Sequence, residues 1–427
     1  MATLHTAPTQ PRSLDAALSP CAPSEFPPVV ILNMFYSGLG IARDMAGRGV
    51  RTVGLSADRN IYGNFSRFCE VRLSPNSQEE PERLAAMLLQ LVPELGGAVI
   101  FPTRDADVLF LDRFRADLEP HYRLALPSHD CLMRVMDKYA LVTIARKAGI
   151  SAPRTVLVSS SADLPRAEVE VGFPCVVKPV FAVNWRGGEA WNKVGARKAI
   201  RVNNRQELKQ EYDLVSGIDP EVLVQEWIPG AADQIVVLGG YVGDAGELLE
   251  YFTARKLVQS PDDFGTGCLV ESDEIQEIVN LSKRLCKVLG YRGMAEIEYK
   301  YNKGSGEFQL IEINTRHWDW HRLGSASGIN LTWVAYCDLT GRAPEVAQKP
   351  IVRAKWVAED ALLMYCLRAL YHRQIHFRDL WHKLSGRKVY GVFAWNDPLP
   401  WLRYCFFVLL PDLASSIFKR IGGGLGS

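Results

Sequence analysis

A chain of 427 residues with ordinary apolar content is long enough to bury two or three separate cores. Its formal net charge of +1 argues against general nucleic-acid binding, which needs a basic footprint. The nine cysteines, at 21, 69, 131, 175, 268, 286, 337, 366 and 405, form no CxxC pair. That argues against a disulfide scaffold and a zinc ribbon, and a reducing, cytoplasmic location is expected.

Residues 1–27 are rich in Pro, Ser, Ala and Thr, without a basic start or an apolar centre. They read as a disordered tail rather than a signal peptide. VVILNM at 29–34 is a short apolar strand, followed by YSGLG and the helical pattern IARDMAGRG. VRTVGLSAD at 50–58 and the start of AVIFPTRDADVLFL at 98–111 supply further strands. Strand–helix–strand order predicts a parallel α/β domain over 28–125. Ligands sit at the carboxyl ends of such strands, where Ser37, Gly38, Thr103, Arg104 and Asp105 fall. SGLG is not a dinucleotide fingerprint, because position 43 is Arg rather than the third glycine, and Asp58 is a weak ribose partner.

A helix is expected over LMRVMDKYALVTIARKAG, stopped by Gly149 and Pro153. FPCVVKPV (173–180) is a strand ending near Lys178, and 181–198 reads as a long basic, Trp-containing loop. LVQEWIPG (223–230) runs from a strand into a Pro-Gly turn, and IVVLGGYV and LLEYFTARKL read as two more strands. IVNLSKRLCKVLG (278–290) is an amphipathic helix, and 294–314 reads as a hairpin around Gly-Ser-Gly. Residues 126–345 therefore form a second, larger unit. Residues 346–427 are aromatic- and Arg-rich and read as a C-terminal helical extension. No apolar run there spans a bilayer. The best candidate, 404–418, is interrupted by Pro411 and Asp412 and reads as a buried helix or a peripheral membrane contact. The basic stretch 367–388 reads as a solvated helix face or a contact for an anionic lipid or polymer.

The hairpin carries the chemistry. Residues two apart on a strand share a face, so Glu312 and Asn314 lie together, opposite Ile311 and Ile313. Glu296 and Glu298 pair likewise, and a turn at Lys303–Gly306 puts Glu298 across from Glu312. Facing carboxylates repel. Either the acidic face is solvated, or a hard divalent cation such as magnesium, or manganese in its place, offsets the repulsion with substrate phosphates completing its shell. Lys138, Lys178 and the Arg255–Lys256 pair add cations of the kind a nucleoside triphosphate needs. GxxxxGK[ST] and HRD are absent from the sequence, and the DFG tripeptide at 263–265 stands without them.

MDKY, FPCVVKP, LVQEWIPG, ARK, EIEY and IEINTR occur in the order that resembles the ATP-grasp superfamily. FPTRDAD, RKLVQSPDDFGTGCLVES, GYRGMAEIEYK and IEINTRHWDWHRLGSASGINL resemble its carboxylate–amine ligase group, the D-aspartate ligase-like enzymes. The resemblance spans roughly residues 28–402 and implies an α/β pre-ATP-grasp domain followed by two α+β subdomains that grip ATP. By resemblance, Lys138 and Lys178 would touch phosphates, and Gln225, Glu226 and Ile228 would line the adenine pocket. Asp233 would take the ribose. Lys256, with Arg255, would reach the triphosphate. Glu298, Glu312 and Asn314 would hold the metal, and Arg316 would stabilise the transferred phosphoryl group or the tetrahedral intermediate. The implied reaction is activation of a small-molecule carboxylate as an acyl phosphate and its transfer to an amine. A non-amine acceptor, as in a carboxylate–thiol ligase or phosphotransferase, and an inactive nucleotide-binding module are the alternatives. The flap departs from the superfamily, with WRGGEAW in a long insert.

His317 and His321 stand four apart, a zinc-ligand spacing on a helix, but Trp318 replaces the Glu of HExxH. The segment reads as an acceptor-site lining, with a Trp-rich core and capping histidines as the alternative. Cys268 lacks a visible base and reads as a buried thiol.

Overall fold

The structure is a computed structural model that describes residues 26–186, 188–261, 263–343, 352–371 and 377–411. The tail to residue 25 and residues 412–418 of the apolar C-terminal run lie outside these.

The strands β1 (Val29–Leu32), β2 (Thr52–Ser56), β3 (Glu70–Leu73), β4 (Val99–Phe101) and β5 (Arg123–Leu124) form a sheet ordered β3-β2-β1-β4-β5. All its pairings are parallel. The unbroken apolar runs of β1 and β4 follow from burial on both faces. Val30, Leu32 and Ile100 pack under Leu84, Leu88, Val108 and Leu111. Val29, Ile31 and Phe101 face the other way, into a core shared with Phe252, Trp318, Trp320 and Trp356. The helix Tyr36–Met45 starts directly after β1, with YSG inside its first turn. A Cβ on Gly38 would lie 2.0 Å from the Asn33 carbonyl oxygen, so only glycine permits that entry.

β6 (Thr155–Val158), β7 (Cys175–Pro179), β8 (Ile200–Val202) and β9 (Val222–Glu226) form an antiparallel sheet ordered β6-β9-β7-β8. β10 (Ile235–Val242), β11 (Leu248–Ser260), β12 (Thr266–Asp273), β13 (Gly293–Asn302), β14 (Glu307–Asn314), β15 (Lys355–Val357) and β16 (Lys388–Tyr390) form a third, ordered β14-β13-β10-β11-β12-β15-β16. Ala295, Ile297 and Tyr299 of β13 pack against the helix Gln276–Leu289, where Ile278, Leu285 and Leu289 meet them. The alternation aims Glu296 and Glu298 to the opposite face.

Three segments differ from the sequence reading. The helix expected over 132–149 is two, His129–Met136 and Lys138–Lys147. The Asp137 carboxylate ends the first and caps the second, accepting from the amides of Tyr139 (2.8 Å) and Ala140 (2.9 Å). The loop 181–198 contains a 3-10 turn, Ala182–Trp185, and a short helix, Gly188–Lys193. Trp185 holds it by burying its ring in the core of the β6–β9 sheet. The C-terminal segment has the expected helices, Glu359–Tyr371, Phe377–Leu384 and Pro398–Tyr404, and also lends β15 and β16 to the large sheet.

Asp397 ties this segment to the parallel sheet's helix. It accepts from Arg43 Nε (3.0 Å), Ser66 Oγ (2.8 Å) and the Arg67 amide (3.0 Å). Arg43 also donates to the Val392 carbonyl at 2.8 Å. Among the described residues, no helix is long and apolar enough to cross a membrane.

Candidate active site

A cavity of about 980 Å³ lies between the β6–β9 sheet and the large sheet, with one wall from the loop after β4. Its position follows from strand alternation. Cys175 and Val177 of β7 enter the core, so Val176 and Lys178 point into the cavity. Lys178 is buried and donates to Gln225 Oε1 at 2.7 Å, and Gln225 is oriented by its own donation to Thr155 Oγ1 at 2.8 Å. Burial, with Lys138 adding repulsion, lowers the Lys178 ammonium to about 7.

The hairpin register is the expected one at its functional end, with Glu298 opposite Glu312 and Glu296 opposite Asn314. One detail differs. Tyr299 pairs with Leu310, so Ile311 is an extra, bulged residue. Leu310 and Ile313 stay in the core, whereas Ile311 turns to the cavity wall instead of sharing a face with Ile313.

The facing carboxylates are offset by lysines. Lys138 Nζ lies 3.3 Å from Glu312 Oε2, and Lys256 Nζ lies 2.6 Å from Glu298 Oε1. Burial opposes the charge on Glu312, but Lys138, Arg186, Lys256 and Lys178 outweigh it and hold the carboxyl well below the usual range. Burial likewise opposes the Lys256 charge, and Glu298 and Glu296 restore it to above the ordinary lysine value. Glu296 behaves in the opposite way. Burial, then the neighbouring Glu298, pushes it up to about 8, and it accepts from Asn314 Nδ2 at 2.8 Å.

Glu298, Glu312 and Asn314 therefore present oxygens on one side of the cavity. Among the described residues, no three His, Cys, Asp or Glu side chains gather as a metal cluster. The donor set fits a hard cation that draws its remaining ligands from phosphate oxygens and water.

Arg316 follows β14 and donates from Nε to Asp105 Oδ1 at 2.7 Å. Arg186 donates to the other oxygen of Asp105 at 3.0 Å. Burial opposes the charge on Asp105, but these two guanidiniums hold its carboxyl below the ordinary range. One carboxylate thus joins the parallel sheet, the 181–198 segment and the hairpin.

At the other end Glu226, Trp227 and Ile228 line the cavity. Glu226 accepts from the Arg154 amide (3.2 Å) and Nε (3.1 Å). The Trp227 ring has the Arg201 guanidinium 4.3 Å and the Lys300 ammonium 4.9 Å from its centre.

Two residues that the resemblance assigned to the nucleotide, Arg255 and Asp233, do not line the cavity. Arg255 neighbours Lys256 on β11, so the two point to opposite faces. Arg255 pairs with Asp273 (3.1 Å) and donates to the Asp233 carbonyl (2.8 Å). Asp233 is exposed in the turn Ala232–Gln234, and its carboxylate accepts from Gln234 Nε2 at 3.1 Å. Asp263 and Lys300 line the rim instead. The sequence reading took the basic side chains of 181–198 together as a phosphate flap without naming them, and Arg186 and Lys198 are the two that line the cavity. It paired Glu296 with Glu298 without giving it a role, although its position two before Glu298 places it on the same face.

The HWDWH segment is partly core and partly cavity wall. Trp318 and Trp320 are buried against Phe252, yet Trp318, Asp319 and Trp320 line the cavity, and Asp319 accepts from Ser37 Oγ at 3.2 Å. Both histidines are buried, and their core partners converge on Asp44, which also accepts from Thr332 Oγ1 at 3.1 Å. His317 Nε2 lies 3.1 Å from Thr332 Oγ1. His321 Nδ1 lies 2.8 Å from the Trp318 carbonyl, and its Nε2 lies 3.4 Å from Asp44. Cys268 is buried, as expected. Tyr365 and Lys383 of the C-terminal segment also line the cavity.

A profile of the family described as D-ala D-ala ligase C-terminus matches residues 157–317. The chain is 29% identical over 186 residues to the D-alanine–D-alanine ligase of Pseudomonas putida (strain GB-1), covering 42% of this chain and 54% of that one. It thus spans about half the length of the first such relatives it matches. It is 21% identical over 323 residues to the D-aspartate ligase of Enterococcus faecium (strain Aus0004), covering 72% of this chain and 75% of that one. The crystal structure of the biotin carboxylase-beta-gamma-ATP complex from Campylobacter jejuni superposes with a TM-score of 0.60 at 16% identity, covering 77% of this chain and 74% of that one.

Proposed function

We propose that this chain, which has the ATP-grasp fold, is an ATP- and magnesium-dependent ligase that joins a carboxylate to an amine. The observation that carries this reading is the convergence of Lys138, Lys178 and Lys256 with Glu298, Glu312, Asn314 and Arg316 on one cavity between two sheets. A triphosphate needs cations around its oxygens and a divalent metal bridging them. The relatives named as D-alanine–D-alanine and D-aspartate ligases support amino acids or small peptides as the substrate class.

In this reading Gln225, Glu226, Trp227 and Ile228 border the nucleotide base. Lys138, Lys178 and Lys256 meet the phosphates. Glu298, Glu312 and Asn314 hold magnesium, or manganese through the same oxygens. Arg255 and Asp233 take no part. In the ligand-free protein the lysines neutralise the carboxylates. On loading, Lys138 and Lys256 exchange their carboxylates, and Lys178 its Gln225 oxygen, for phosphate oxygens. The bound metal neutralises phosphate charge, and the chain does the rest by position and preset charge.

A substrate carboxylate oxygen attacks the γ-phosphorus, and the bond to the β–γ bridging oxygen breaks, giving an acyl phosphate and ADP. The amine then adds to the acyl carbon, and the C–O bond to phosphate breaks as the amide forms and the amine loses a proton. Arg316, fixed by Asp105 at 2.7 Å, is placed to face the charge that develops on the phosphoryl and tetrahedral oxygens. Hydroxylamine tests the intermediate, because it converts an acyl phosphate to a hydroxamate. Hydroxamate that requires both Mg·ATP and a carboxylate is expected. AMP as the nucleotide product, without hydroxamate, would overturn the reading.

A further inference from the structure

The helix Pro398–Tyr404 runs on through the wider turn Cys405–Leu409 to Pro411. Its inner face is fixed. Tyr404 is buried against Tyr62 and Tyr36, with ring centres 5.2 and 6.4 Å away, and its hydroxyl lies 2.9 Å from that of Tyr36. Its outer face is bare, with Leu399, Leu402, Phe406, Phe407 and Leu410 each 50–66% exposed. Steps of three, four, one and three residues keep these side chains on one side of a helix. Trp395, just before the helix, is 89% exposed. Because Tyr404 anchors the opposite side, rotation cannot hide the apolar stripe.

Charge identifies the occupant. No acidic residue occurs from Pro398 to Pro411, where Arg403 lies with its guanidinium 4.1 Å from the Phe65 ring and 5.5 Å from the Phe407 ring. The sequence beyond keeps the apolar spacing with Leu413, Ile417 and Phe418, followed by Lys419 and Arg420. Residues 398–427 hold three Lys and Arg, Arg403, Lys419 and Arg420, against one acid, Asp412, in a chain whose net charge is only +1.

We propose that this face docks on an anionic lipid surface, lying in its plane, with the apolar stripe in the headgroup boundary and the basic side chains on lipid phosphates. Exposed Trp and Phe beside Arg and Lys are the side chains that such an interface favours. A second copy of the chain would set Arg403, Lys419 and Arg420 against the same charges, with no acidic partner. Residues 412–427 folded back would bring two more cations and a single acid, Asp412. The inference is independent of the ligase reading, because no residue of the nucleotide cavity enters it.

Flotation of the full chain with vesicles tests it. Phosphatidylcholine vesicles containing roughly one-third phosphatidylserine should bind the protein, and phosphatidylcholine alone should bind it far less. Phe406→Ser, Phe407→Ser and Leu410→Ser together should cut binding by about tenfold or more, at an unchanged melting temperature. Lys419→Glu with Arg420→Glu should weaken binding to anionic vesicles and reduce its salt dependence. Absence of flotation, or flotation undiminished in the triple variant, would overturn the proposal. A concentration-dependent dimer lost in the triple variant, without vesicle binding, would assign the face to a second copy and overturn it equally.

Discussion

Glu312→Gln removes one charge and keeps the side chain's shape. In the ligand-free protein that charge faces Lys138 at 3.3 Å. With an effective dielectric near 20, a pair at that distance attracts by roughly 5 kcal/mol. The two side chains are 28% and 14% exposed, for Glu312 and Lys138 respectively. Screening and desolvation therefore leave about 1–3 kcal/mol. The variant should melt a few degrees lower without ligand. Its effect on nucleotide binding should change sign with the metal. In chelator, ATP meets a cavity poorer by one negative charge, and its affinity should rise by about tenfold, or roughly 1.4 kcal/mol. In excess magnesium the lost metal oxygen should lower affinity by about 30-fold, or roughly 2 kcal/mol. Titration calorimetry in EDTA and in magnesium, for the natural protein and the variant, reads both ratios. An unchanged magnesium dependence in the variant would refute the assignment of Glu312 to the metal.

Lys178 predicts a pH dependence of nucleotide binding. Burial places its pKa at about 7 in the ligand-free protein, and a bound triphosphate favours the charged form, so binding takes up a proton above neutrality. ATP affinity should weaken by up to about tenfold per pH unit above pH 7 and flatten below about pH 6. Affinity constant between about pH 6 and 9 would contradict this. Lys256→Met should weaken ATP binding by at least about tenfold, whereas Arg255→Ala, which loses the partly exposed Asp273 and the Asp233 carbonyl outside the cavity, should change it by less than about twofold. Equal losses in the two variants would put Arg255 back in the cavity. Arg43→Ala strands the buried Asp397 and should cost about 3–5 kcal/mol, seen as faster proteolysis of the C-terminal segment. Arg43→Met with Asp397→Leu should recover most of that loss, and a double variant no more stable than the single would contradict it.

The legible parts of the site are those set by local periodicity. A period of two put Glu298 opposite Glu312 and kept Glu296 and Asn314 on the same face, as the register shows. The buried strands of the parallel sheet were readable because burial on both faces leaves apolar runs without alternation. The same rule, applied to Arg255 and Lys256, would have separated them, since neighbours on a strand cannot both reach one cavity. The break at Asp137 was also within reach, because an Asp before a new run of helical spacing is a cap signal.

What lay beyond reach depends on long-range contact. Asp105 and Arg316 are 211 residues apart, and nothing local joins them. The bulge at Ile311 adds one residue without disturbing composition, so an apolar residue read as core faces the cavity. Tyr365 and Lys383 enter the wall only because β15 and β16 carry the C-terminal segment onto the large sheet.

The most direct test of the central claim is product analysis. The purified protein would be supplied with Mg·ATP and a panel of amino acids and small peptides, singly and in pairs, with nucleotide and product masses read together. The account predicts ADP and phosphate released in step with a product whose mass is the sum of a carboxylate and an amine less one water. ATP turnover that is indifferent to every carboxylate, or that yields AMP, would contradict it.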